Sequence, residues 1–148
     1  MFDDPFSMNV PRLRLSLRIE GDALDPDFLT QQLGLTPSYS AATGQADSRG
    51  GRGAPHETGI WTYRLEVPPD TELGDAVGML LNMLPDDTTL WEELESTFSV
   101  HVFVGIFLQA DNQSTILDAE VLGALGRRGW TISFDLYAPF ASRRELGE

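Results

Sequence analysis

Residues Val100–Leu108 read VHVFVGIFL, the one stretch of the chain that is apolar on both sides of an extended strand. Side chains alternate across a strand, so Val100, Val102, Val104, Ile106 and Leu108 share one side. Phe103 and Phe107 share the other, flanked by His101 and Gln109. Such a strand belongs in the middle of a sheet, with one face on the core and a second face in need of a cover. Three further segments alternate with period two but are polar on their second side. Arg12–Glu20 turns Leu13, Leu15, Leu17 and Ile19 inward and Arg12, Arg14, Ser16 and Arg18 outward. Gly59–Val67 turns Trp61, Tyr63, Leu65 and Val67 inward, with Ile60, Thr62, Arg64 and Glu66 outward. Trp130–Tyr137 sends Trp130, Ile132, Phe134 and Leu136 inward and Thr131, Ser133, Asp135 and Tyr137 outward.

Helical signals fill the intervals. Pro26–Leu33 has Asp25 as N-cap, Pro26 at the first helical position and Gly34 as its stop, with Phe28, Leu29 and Leu33 as an apolar stripe. Asp70–Leu84 carries Leu73, Val77, Leu80, Leu81 and Leu84 at helical spacing. Pro85 breaks it, and Asp86 or Asp87 caps a following helix over Thr88–Thr97, with Leu90, Trp91, Leu94 and Phe98 inward. Ile116–Arg128 is the last helix, with Leu117, Val121, Leu122 and Leu125 on one side. Arg127 and Arg128 suit the negative end of its dipole, and Gly129 ends it. Thr36–Thr58, rich in Gly, Ser, Ala and Pro, reads as a long loop.

The order is strand–helix–strand, two helices, then strand–helix–strand. The two halves echo each other, which predicts an α+β two-layer sandwich of pseudo-duplicated halves. Its sheet is four-stranded and mainly antiparallel, with helices on one face, in a ferredoxin-like arrangement. Residues 12–138 form one domain, between a flexible N-terminal tail at 1–11 and a C-terminal tail at 139–148. A chain of 148 residues is long enough to bury its core without staples. The absence of cysteine excludes disulfides, thiolate nucleophiles and cysteine-ligated metals. No signal-peptide pattern and no run long enough to span a membrane is present, so a cytoplasmic location is expected. All ten basic residues are arginine, which predicts a GC-rich bacterial source.

The charge is uneven. Net charge is −13, and between Leu65 and Gly126 twelve Asp or Glu occur with no Arg or Lys. Such a field repels nucleic-acid backbone and attracts a basic partner, or simply solvates the surface.

Here the chain resembles the bacterial DUF4279 domains. The resemblance runs from about Leu13 to Tyr137 and rests on three groups of residues. They are LRIEGDALDPDFLTQQLGLTP near the start, Gly59-Ile60-Trp61 opening the second strand, and Leu125-Gly126 through Asp135-Leu136-Tyr137 at the end. These are framework signals: a capped helix, a glycine stop, a buried tryptophan. The resemblance implies a fold and carries no activity, cofactor or partner with it. Where the family often has a lysine-glycine-aspartate step, this chain has Thr43-Gly44-Gln45-Ala46-Asp47.

With the four strands side by side, the outward sheet face gathers Phe103 and Phe107 among Arg14, Arg18, Arg64, Thr62, His101, Ser133, Asp135 and Tyr137. Aromatics ringed by arginine stack planar ligands, and the same residue types are enriched in protein interfaces. The long loop or the arginine stems could equally cover them. His101 and Asp135 meet across neighbouring strands if the register allows, the start of a general-base pair, yet no nucleophile motif accompanies them. SRGGRG at 48–53 resembles one arginine–glycine box and lacks the phosphate-loop pattern, which leaves it as a hinge or lid. The acids Asp86, Asp87, Glu92, Glu93 and Glu95 recur on an exposed helical side rather than converging on a metal. The functional expectation is therefore a non-enzymatic domain acting through protein contact, as a homodimer or an immunity-like neutraliser of a basic partner. The alternative is small-ligand or nucleotide binding on the outward sheet face, under the 36–58 loop. Neither a cofactor nor a metal is expected.

Overall fold

The computed structural model describes residues 10–45 and 57–139. The elements are β1 (Arg12–Gly21), α1 (Pro26–Leu33), β2 (Tyr39–Ala41), β3 (Gly59–Leu65), α2 (Leu73–Asn82), α3 (Thr88–Thr97), β4 (Ser99–Phe107), α4 (Ala119–Arg128) and β5 (Thr131–Tyr137). The five strands form one sheet in the order β2-β3-β1-β4-β5. β1 lies at its centre, antiparallel to both β3 and β4, while β4 and β5 run parallel.

The architecture is α+β with a mixed open sheet, and two details differ from the sequence expectation. A fifth strand, β2, lies within the segment read as loop; three residues are too few to show periodicity. The sheet is mixed because β4, α4 and β5 make a crossover unit: the helix runs back along the sheet, so the next strand starts at the same end. In the first half α1 leads to the short β2, which runs in the direction of β1 with β3 antiparallel between them, and Gly59 pairs with Gly21. The order β2-β3-β1-β4 therefore matches the ferredoxin-like expectation in part, and α4 with β5 extends the sheet beyond it. The expected tails at 1–11 and 139–148 fall, apart from residues 10, 11 and 139, outside the described residues. The SRGGRG segment does so entirely.

Local chemistry explains the helices. Asp25 accepts from the Asp27 amide at 3.1 Å, and Gly34 closes α1 with φ 71°. Asp87 caps α3 through the Leu90 amide at 3.2 Å, and Asp118 caps α4 through Val121 at 2.9 Å. α2 starts by a tertiary route. Its Leu73 amide donates to Thr115 Oγ1 at 2.7 Å, and Gly74 to the Ile116 carbonyl at 2.7 Å. Glu72, just before it, accepts from both Thr115 Oγ1 and the Ile116 amide. Nothing local in the sequence signals that cap.

The core lies between the helices and the inward face of β1, β3 and β4. Leu15, Leu17, Ile19, Trp61, Val77, Leu80, Trp91 and Val102 are fully buried there. The Trp61 indole N–H donates to Thr30 Oγ1 at 3.1 Å, tying α1 to β3. Trp91 donates to the Pro85 carbonyl at 2.8 Å and meets Trp130 edge-on at 4.9 Å. Arg128 is buried beneath α4, where it donates to the Ala124 carbonyl and to Asp86 at 2.9 Å. No helix among the described residues is long and apolar enough to cross a membrane.

Candidate functional site

The register of the ladder assembles the opposite face of the sheet. Arg14, Ser16 and Arg18 project from β1. Ser16 stands opposite Arg64 on one side and Phe103 on the other, and Arg18 stands opposite Thr62 and His101. On β5, Ser133 lies beside Phe103, Asp135 beside Gly105 and Tyr137 beside Phe107. All ten residues that the sequence assigns to the outward face therefore share it.

Their side chains form two aromatic groups. Phe107 and Tyr137 stack at 4.6 Å between centroids and 3° from parallel, with the Arg14 guanidinium carbon 5.2 Å from the Phe107 centroid. His101 stacks on Phe103 at 4.2 Å, and the Arg18 guanidinium sits 4.3 Å from the Phe103 centroid. Both phenylalanines are half-buried in consequence, partly covered by their own neighbours. Gly105 separates the groups. A Cβ there would come within 3.1 Å of the Phe107 ring, so a larger residue would push that stack aside.

Between the groups lies a depression of about 440 Å³, fronted by Arg14, Arg18 and Arg64 and floored by Ser16, Phe103 and Gly105. A second, of about 520 Å³, shares Arg14 and Arg64 and extends past Phe107 to Arg12 and Gln109. Arg14 and Arg64 are exposed, and among the described residues neither is paired with a carboxylate. Arg18 lies 3.7 Å from Glu20, a partly exposed pair of little energetic weight. Arg18 Nε and Thr62 Oγ1 are buried with no hydrogen-bond partner among the described residues.

His101 and Asp135 do not meet. His101 stands opposite Thr131 and Asp135 opposite Gly105, four residues further along, about 13 Å at strand rise. His101 Nε2 instead shares a hydrogen bond with Ser133 Oγ at 2.5 Å, and Asp135 accepts from the Tyr137 hydroxyl. That bond, together with the negative charge of Asp135, raises the Tyr137 pKa above its ordinary value, which Arg14 partly opposes. No general-base pair forms here.

Sequence reasoning missed Tyr39, which β2 sets opposite Thr62 on the same face, and the spacing role of Gly105. The single glycine interrupting an apolar strand was the available signal for the latter. On the helical layer, Asp86 serves Arg128 and Asp87 caps α3, while Glu92, Glu93 and Glu95 are exposed. Among the described residues no three His, Asp or Glu side chains are placed to hold a metal ion.

A family sequence model described as "Domain of unknown function (DUF4279)" matches residues 11–139. No curated protein and no solved structure matches the chain significantly.

Proposed function

The chain belongs to the DUF4279 family, and from that premise we propose that it is a binding domain whose outer sheet face takes a small anionic ligand with a flat ring, of the nucleotide class. One observation carries this reading. Arg14 and Arg64, unpaired with acids among the described residues, front one depression floored by Phe103 in a chain of net charge −13. Acids outnumber arginines by more than two to one, yet these two guanidiniums line one depression without an ion pair among the described residues. A bound phosphate or carboxylate would give them bidentate, charge-assisted hydrogen bonds. The ring would lie against the Arg18 and Phe103 planes, and Ser133 would offer its hydroxyl to ring or sugar polar groups.

Thermal unfolding in the presence of nucleoside mono- and diphosphates, with inorganic phosphate as comparison, tests the reading. A nucleotide at about 100 times its dissociation constant stabilises a single site by about 2.7 kcal/mol, a readily measured rise in Tm. Arg14→Ala and Arg64→Ala should each abolish the rise while leaving the unliganded Tm nearly unchanged. No rise with any nucleotide would overturn the proposal, and an equal rise with phosphate alone would remove the flat ring from it. A second reading, capture of a basic protein by the helical layer, is supported by Glu92, Glu93 and Glu95, exposed and without an ion pair among the described residues.

A further inference from the structure

The two edges of the sheet are unlike. β2 ends one side with three residues, a short strand that offers little to pair with. β5 ends the other with seven residues, Thr131–Tyr137, without proline or lysine. Its one charge, Asp135, points to the outer face and is engaged by Tyr137. The Tyr137 carbonyl accepts from the Leu108 amide, so its peptide groups turn toward β4. By alternation, the N–H and C=O groups of Ile132, Phe134 and Leu136 point to the edge, where no strand among the described residues pairs with them. The side chains of the same three residues face the helical layer, yet Phe134 is 46% and Leu136 67% exposed. Ile116 and Leu122 are exposed too, and Leu122 lies on the side of α4 turned away from the α2 groove lined by Glu120, Ala124 and Arg127.

The geometry points to a second copy of this chain as the occupant of that edge, with β5 pairing antiparallel to β5 across a two-fold axis at Phe134. A free backbone ladder specifies an extended strand as partner, and the β5 sequence is its own complement. Phe134 then faces Phe134, and Ile132 faces Leu136 of the second copy, closing the apolar strip. On the outer face Ser133 comes opposite Asp135 of the second copy, a hydroxyl against a carboxylate. The α4 helices run antiparallel, which brings the Asp118 and Glu120 end of one toward the Arg127 end of the other. The result is one continuous ten-stranded sheet whose two arginine-lined depressions lie on the same face. This inference does not depend on what those depressions bind.

Light scattering on the full chain over a range of concentrations tests it. The wild type should give about twice 16.3 kDa, and Leu136→Asp should weaken the dimer about tenfold or more. Phe134→Cys gives a readout independent of stability, because the natural chain contains no cysteine. A hydrogen-bonded antiparallel pair sets the two Cα atoms about 5.5 Å apart, within disulfide range. Oxidation should therefore yield a covalent dimer on a non-reducing gel, whereas Arg64→Cys should stay monomeric on that gel. A wild type that remains monomeric, whether its edge is open or covered by residues 140–148, overturns the proposal. So does a dimer that survives Leu136→Asp undiminished while Phe134→Cys fails to cross-link.

Discussion

β1 and β5 are written in the same pattern and end up in different surroundings. Each alternates apolar and polar residues, and each sends its apolar set toward the helices. On β1 that set is sealed: Leu15, Leu17 and Ile19 have no exposed surface. On β5 it opens progressively, from half-buried Ile132 to exposed Phe134 and Leu136. β1 has strands on both sides and helices above, whereas β5 has one neighbouring strand among the described residues and lies at the rim of the helical layer. Alternation tells which face a residue takes. The number of neighbours decides whether that face is dry.

The largest expected effect probes the contrast directly. Leu17→Ala, which empties a fully enclosed site, should cost about 2–5 kcal/mol in urea unfolding. Leu136→Ala, the same truncation on β5, should cost less than about 1 kcal/mol at protein concentrations dilute enough for monomer. Equal costs would mean that the rim of the sheet is as dry as its centre, and the comparison would fall.

The next effect is smaller and sharpens the asymmetry between the halves. α1 is bonded to β3 through Trp61 and Thr30, and among the described residues no side-chain hydrogen bond joins α4 to β5. Thr30→Val leaves the buried indole N–H without its acceptor and should lower stability by about 1–3 kcal/mol, with little volume change. A neutral result would show that the bond is dispensable to the packing of α1.

The smallest effect is spectroscopic. Tyr137 on β5 has its pKa raised above the ordinary tyrosine value because the Asp135 carboxylate accepts a hydrogen bond from its hydroxyl and repels its anion. The pKa is raised in the folded state, so the associated stability is fully present below pH of about 10 and is lost as pH rises through the folded value. Asp135→Asn should move the tyrosinate absorbance titration of Tyr137 down toward ordinary. An unchanged curve would mean that the carboxylate does not reach the hydroxyl in solution.

Much of the frame was legible because its signals are local. Asp25, Pro26 and Gly34 bound α1, Asp87 caps α3, and Gly129 stops α4 at φ 69°, each where the residue type implies it. The outward face was legible too, since strand period alone sorts Arg14, Arg18, Arg64, Phe103, Phe107 and Tyr137 onto one side. Pairing was not. His101 and Asp135 failed to meet because partner choice across strands depends on register, which neither residue encodes. Thr115 and Glu72 were equally invisible, as their capping of α2 joins residues more than forty positions apart.

The sequence by itself therefore determined which segments extend, which coil, and which side of each faces oil or water, because those follow from periods of 2 and 3.6 and from local caps. The tertiary structure alone decided that β4 and β5 run parallel, that β2 exists, and that β5 is the last strand of the sheet among the described residues. It also decided that three arginines converge on one depression. Those outcomes depend on where a chain returns after each helix, a choice governed by long-range packing that no short window of residues contains.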